Sequence, residues 1–235
     1  MVRRRAKDYD QIWKALISEA SKHSLVLKPK TCMFDFELAA IISCKQNFSQ
    51  VKVTGCLFHF GQSLFKHFVK SGMKTLYISD LNVQIWFKKV FILALMPIEF
   101  VSVLFQVQTN LSDLCLEAQQ KLPSFIEYVK TTYIESEVFP ITLWNHFQTE
   151  DEKTNNRVEG DNFQMNDCCG AAHPDMAKAV KLLQGYESKA ADKYTNASKK
   201  EARVASSRLA DHDRDRDFRA ARKLYHQKRL RSSNA

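Results

Sequence analysis

Only two short runs in this chain read as β-strands, and that scarcity limits what it can fold into more than any other feature. Thr31–Phe34 is a compact β-prone run that ends at Asp35, and Val51–Gly55 is the second. Two strands alone make a poor sheet, because a stable α/β layer needs more strands or covered faces. The remainder patterns as helix. Tyr9, Ile12, Trp13, Leu16, Ile17 and Ala20 recur at helical spacing over 8–22. Residues 36–47 place Leu38, Ile41 and Ile42 on one face, and Leu64, Phe65, Phe68 and Val69 share a face before Ser71-Gly72 stops that helix. Asp80 is placed to cap a helix to Leu95, which Pro97 separates from one over 98–108. Helices are expected at 110–121 and 123–135, then a short aromatic segment, Ile141–Phe147, and a helix beginning near Glu159.

With 6 Gly and 5 Pro in 235 residues, the composition favours helices over a strand-and-turn sandwich. The most apolar window, Phe91–Phe105, is interrupted by Pro97 and Glu99 and falls short of the roughly 20 residues a membrane span needs. It reads as a buried helix pair, so no membrane partner is expected. The basic start, Met1–Lys7, is followed by no apolar stretch of the kind a secretory signal carries. The six cysteines form no dense framework and are expected to be reduced thiols in an intracellular protein.

The net charge of +9 is unevenly placed. Residues Met176–Ala235 hold 16 Lys and Arg against 7 Asp and Glu, which accounts for all of it; residues 1–175 balance at 19 of each. A basic tail suits phosphate contacts with nucleic acid, and it equally suits a solvated helix or a disordered segment. The alternation Asp211-His212-Asp213-Arg214-Asp215-Arg216-Asp217 favours the latter over a tight DNA groove.

Three segments could carry chemistry. Asp35, at the C-terminal tip of a strand, stands where open α/β sheets place ligands, though such an Asp also serves as a helix N-cap. In Gly55-Cys56-Leu57-Phe58-His59-Phe60, Cys56 and His59 can face one metal, zinc being suited to thiolate and imidazole; a buried Cys and a hydrogen-bonded His is the plainer account. The third is Lys153-Thr154-Asn155-Asn156-Arg157-Val158-Glu159-Gly160, where Glu159 opens a helix.

In order and spacing these segments resemble the Mutator-like (MULE) transposase domain. The family's D-F-E motif corresponds to Asp35-Phe36-Glu37, its G-C-x-F-H-F to Gly55 through Phe60, its W-N to Trp144-Asn145, and its R-T-N-N-x-x-E-G to Lys153 through Gly160. Ala94-Leu95-Met96-Pro97 with Val101 and Phe105, Thr132-Tyr133-Ile134, and His173-Pro174 resemble further landmarks, so the likeness spans roughly 9–185. The resemblance implies an RNase H-like α/β fold with a large helical insertion over 73–147 and a last catalytic helix region over 153–187, followed by a basic tail over 188–235. It implies nuclear, Mg²⁺- or Mn²⁺-dependent DNA cleavage and strand transfer by a triad of carboxylates. Asp35 and Glu159 would be the second and third of these and the metal ligands, with Cys56 and His59 a zinc or structural pair. It offers Trp144, Lys153, Asn155, Asn156 and Arg157 as DNA contacts, Trp144 by stacking on a base or, alternatively, as a core residue. It leaves room for a homo-oligomer.

The sequence departs from the family's pattern in three ways, Lys153 in place of Arg being one. Asp161-Asn162 stand where an aromatic and His are usual, and no strand resembling D-G-T-F precedes Asp35, so the first acid of the triad is missing from these residues. The expectation is a partial, roughly two-stranded RNase H-like domain, inactive by itself or turned into a non-catalytic DNA- or protein-binding derivative.

Overall fold

A computed structural model describes residues 5–150, 152–156, 158–160, 176–198 and 216–227. The chain divides into two compact units, Met1–Asn155 and Asn156–Ala235.

The first unit opens with α1 (Ala6–Lys22), then β1 (Thr31–Phe34), α2 (Leu38–Asn47) and β2 (Lys52–Gly55). The strands pair in parallel, from Thr31 opposite Lys52 to Phe34 opposite Gly55, with α2 as the crossover that a parallel pair requires. Among the described residues this pair is the whole sheet, and the protein is mixed α/β but mostly helical. Helix α1 covers α2 through Trp13, whose ring meets Phe48 edge-on at 5.3 Å, and through Asp10, which accepts hydrogen bonds from Ser43 Oγ and Asn47 Nδ2. The face of α2 differs from the expected one: Ala40, Ile41, Ser43 and Cys44 are buried, while Leu38 and Ile42 are exposed. Short α2 turns its small residues toward its neighbours, where close approach is possible. Cys44 is fully buried, and that burial, with the Cys32 thiol beside it, pushes its pKa up to about 12. Cys32, Cys44, Cys56 and Cys115 are free thiols.

Then come α3 (Leu57–Lys70), α4 (Lys74–Ser79), α5 (Leu81–Ile92), a 3₁₀ turn at Leu93–Leu95, α6 (Ile98–Gln108), α7 (Leu116–Val129) continuing into a π-helical turn at Lys130–Ile134, and α8 (Ile141–Trp144). Asp80 caps α5 as expected, accepting from the backbone of Asn82 and Val83. The helices expected at 110–121 and 123–135 are in fact one, α7, which runs through Pro123. Proline normally breaks a helix interior; here Ala118, Leu122, Phe125 and Val129 are all buried on one face, and that burial holds the helix through it. The core these helices enclose is aromatic: Phe60, Phe68, Trp86, Phe87, Phe125, Tyr133 and Trp144 all lie in it. No described helix is long and apolar enough to cross a membrane.

In the second unit, Met176–Ser198 forms one helix with Val180 and Leu183 exposed, and 216–227 forms another. The alternating-charge run from Asp211 lies largely outside the described residues.

Candidate metal centre

The site is built where the two parallel strands end. Asp35 is the first residue beyond β1, and Phe36 after it adopts a left-handed backbone, φ 64°. Non-glycine residues seldom accept that conformation, so something must hold it. The Phe36 ring does, packing against Phe139 (5.6 Å), Tyr133 (6.1 Å) and Phe60 (6.4 Å). It also lies over Gly55, where a Cβ would come within 2.5 Å of the ring, so only glycine fits beneath it. The sharp turn drives the Phe36 side chain inward and leaves Asp35 at the strand tip, 44% exposed.

Beside it, the Cys56 N–H donates to the Phe34 carbonyl at 2.8 Å, extending the ladder by one bond, and Cys56 is then the N-cap of α3. His59 stands one turn in, so thiol and imidazole project from the same helix end. His59 Nδ1 lies 3.0 Å from Asp35 Oδ1. The ligand atoms of Asp35, Cys56 and His59 all fall within 4.8 Å of one another, a grouping that could hold a metal ion. Cys56 is fully buried, and the other two are partly open to solvent.

A third segment closes the site. The Leu57 N–H, at the start of α3, donates to the Lys153 carbonyl at 2.9 Å, which draws in the stretch ending at Asn155. The Asn155 amide then bridges two of the three groups: Nδ2 donates to Asp35 Oδ1 at 2.6 Å, and Oδ1 accepts from Cys56 Sγ at 3.0 Å.

His146 supports this arrangement from below. It is fully buried, its Nε2 donating to the Gly55 carbonyl at 2.8 Å, and its backbone N–H donates to Ala94. Burial lowers its pKa, the Gly55 hydrogen bond opposes this, and the charges of Lys153 and Lys52 lower it further. Its neighbours are structural too. Asn145 Nδ2 donates to the carbonyls of Leu93 and Met96, and Trp144 Nε1 donates to Tyr133.

The sequence-derived assignments therefore separate. Asp35, Cys56 and His59 come together as one group, whereas the sequence had linked Asp35 to Glu159 and treated Cys56 and His59 as a separate pair. Asn155 joins this group through its amide. Trp144 is a core residue: it is 1% exposed and stacks on Phe60 at 4.9 Å, so its ring is covered by protein and is not presented to a base. Lys153 contributes its carbonyl to the N-terminus of α3. Glu159 and Asn156 belong to the second unit, and the group just described is formed from the first unit alone. Arg157 lies outside the described residues. The role of His146 went unread; its place directly after Trp144-Asn145 in an apolar segment was the available signal.

Searches of protein-family models, curated proteins and solved structures return no match to this chain.

Proposed function

We propose that this chain derives from the catalytic domain of a DDE-type DNA transposase of the Mutator-like kind, whose reaction is Mg²⁺-dependent DNA cleavage and strand transfer, and that these 235 residues do not perform it by themselves. One observation carries the reading. Asp35, the Cys56–His59 pair and Asn155 come from three separate segments, the same three that carry the resemblance, and they converge at the C-terminal tips of parallel strands. Open α/β sheets place their ligands at that edge.

The expected inactivity has a physical basis. Phosphodiester cleavage by two cations requires carboxylates that share the ions, so that one activates the attacking oxygen and the other stabilises the leaving oxygen. The described cluster offers one carboxylate, Asp35, with a thiol and an imidazole, and Mg²⁺ prefers oxygen ligands. In this reading DNA is held by phosphate contacts, the basic residues after Met176 adding a salt-dependent share. A domesticated, non-catalytic DNA- or protein-binding derivative is the second reading, favoured by the single carboxylate of the described cluster.

The test is a gel assay of the purified chain with duplex and hairpin DNA in Mg²⁺ or Mn²⁺, together with affinities at several salt concentrations. The expected result is binding that weakens steeply with salt, without cleavage or joining. Cleavage that disappears in Asp35→Ala would overturn the inactivity and keep the ancestry. Absence of DNA binding even at low salt would overturn the DNA reading.

A further inference from the structure

The geometry points to a mononuclear zinc site formed by Asp35, Cys56 and His59, with Asn155 Oδ1 taking the fourth position. This inference shares Asp35 with the transposase reading but rests on the cluster's own chemistry. Thiolate, imidazole and carboxylate are a zinc donor set, and the first two are poor partners for Mg²⁺. Tetrahedral zinc with ligand bonds of about 2.1 Å sets neighbouring N and O ligands about 3.4 Å apart. The His59 Nδ1 to Asp35 Oδ1 separation is 3.0 Å, and no pair of the three ligand atoms exceeds 4.8 Å, so closing on an ion requires side-chain adjustment without backbone rearrangement.

Charge balance supports the same ion. Binding Zn²⁺ converts the Cys56 thiol to a thiolate and releases one proton; with Asp35 ionised and His59 neutral, the site carries no net charge. A neutral site avoids the cost of burying an uncompensated charge beside fully buried Cys56. Losing its proton also ends the Cys56 hydrogen bond to Asn155 Oδ1, which frees that oxygen at 3.0 Å from the sulfur to turn toward the ion. Asn155 Nδ2 meanwhile keeps Asp35 oriented.

The test is titration of the full chain with Co²⁺, which reports a thiolate ligand through a near-ultraviolet charge-transfer band, with competition by Zn²⁺. The expected result is one equivalent bound, a thiolate band displaced by Zn²⁺, and one proton released per ion by calorimetry in buffers of different ionisation heat. Cys56→Ser should abolish the band. Since that buried position could also impair folding, His59→Gln at a partly exposed position is the second variant. It should weaken Co²⁺ binding at least about 100-fold with an unchanged circular dichroism spectrum, and Asn155→Ala about 10-fold. A folded chain that binds no Co²⁺, a band that survives Cys56→Ser, or His59→Gln binding as tightly as the parent would each overturn the site. Co²⁺ binding in a chain that ignores DNA leaves the site standing and removes the transposase reading; DNA binding without a thiolate band does the reverse.

Discussion

The first unit contains two unlike regions. The helical region is packed around interlocking aromatic rings, with Phe60, Phe68, Phe125 and Trp144 at most 2% exposed. The strand region is thin: one parallel pair, helices α1 and α2, and a small cluster of Ile41, Cys44, Phe48, Val53 and Leu143. Yet the polar residues that could do chemistry gather on the thin side. Two partly buried rings, Phe36 and Phe139, pack against both clusters. A site on so small a sheet keeps its shape because it leans on the larger core beside it.

The largest expected effect tests that dependence. Phe60→Ala removes a ring touching Phe36, Phe91, Tyr133 and Trp144, and should cost about 3–5 kcal/mol in chemical denaturation. If the strand region relies on the core, near-ultraviolet signals from Trp13 should be lost in the same transition; a separate, unshifted transition would break the comparison. Gly55→Ala should follow, at about 1–3 kcal/mol, because the new methyl meets the Phe36 ring, and it should weaken Co²⁺ binding while leaving the helical content intact. Asp80→Ala, within the helical region and far from the strands in sequence, should cost about 1 kcal/mol through loss of the α5 cap and leave Co²⁺ binding unchanged.

The smallest effect concerns His146, which ties the two regions by bonding Gly55 on one side and Ala94 on the other. Its folded pKa lies below the ordinary imidazole value of about 6.5, so the unfolded chain binds its proton more readily. Stability from this group is present above pH 6.5 or so and is lost as pH falls toward its folded pKa. Denaturation midpoints should decline over that window in the parent and decline less in His146→Gln.

Much of the fold was legible because its signals are local. The Thr31–Phe34 strand, the Asp80 cap and the helix after Pro97 each announce themselves within a few residues. What was hidden depends on partners far along the chain. Nothing near Pro123 reveals that Leu122 and Phe125 are buried well enough to hold α7 together. The exposed positions of Leu38 and Ile42 follow from the packing of α1, not from their own apolar character. In the site, Cys56 and His59 were legible as a pair through their C-x-x-H spacing at the end of a strand. Asp35 as their companion, and Asn155 as the bridge, required knowing which strand tips and which later segment meet.

The left-handed turn at Phe36 has one practical consequence. Asp35 and Phe36 are adjacent, and the Phe36 ring neighbours Phe60, which stacks on Trp144. Trp144, shielded from water and two ring contacts from the residue beside Asp35, is placed to report by its fluorescence whether ligand uptake at the strand tip disturbs the core. Of the three tryptophans, Trp13 and Trp86 can be replaced by Phe to isolate the Trp144 signal.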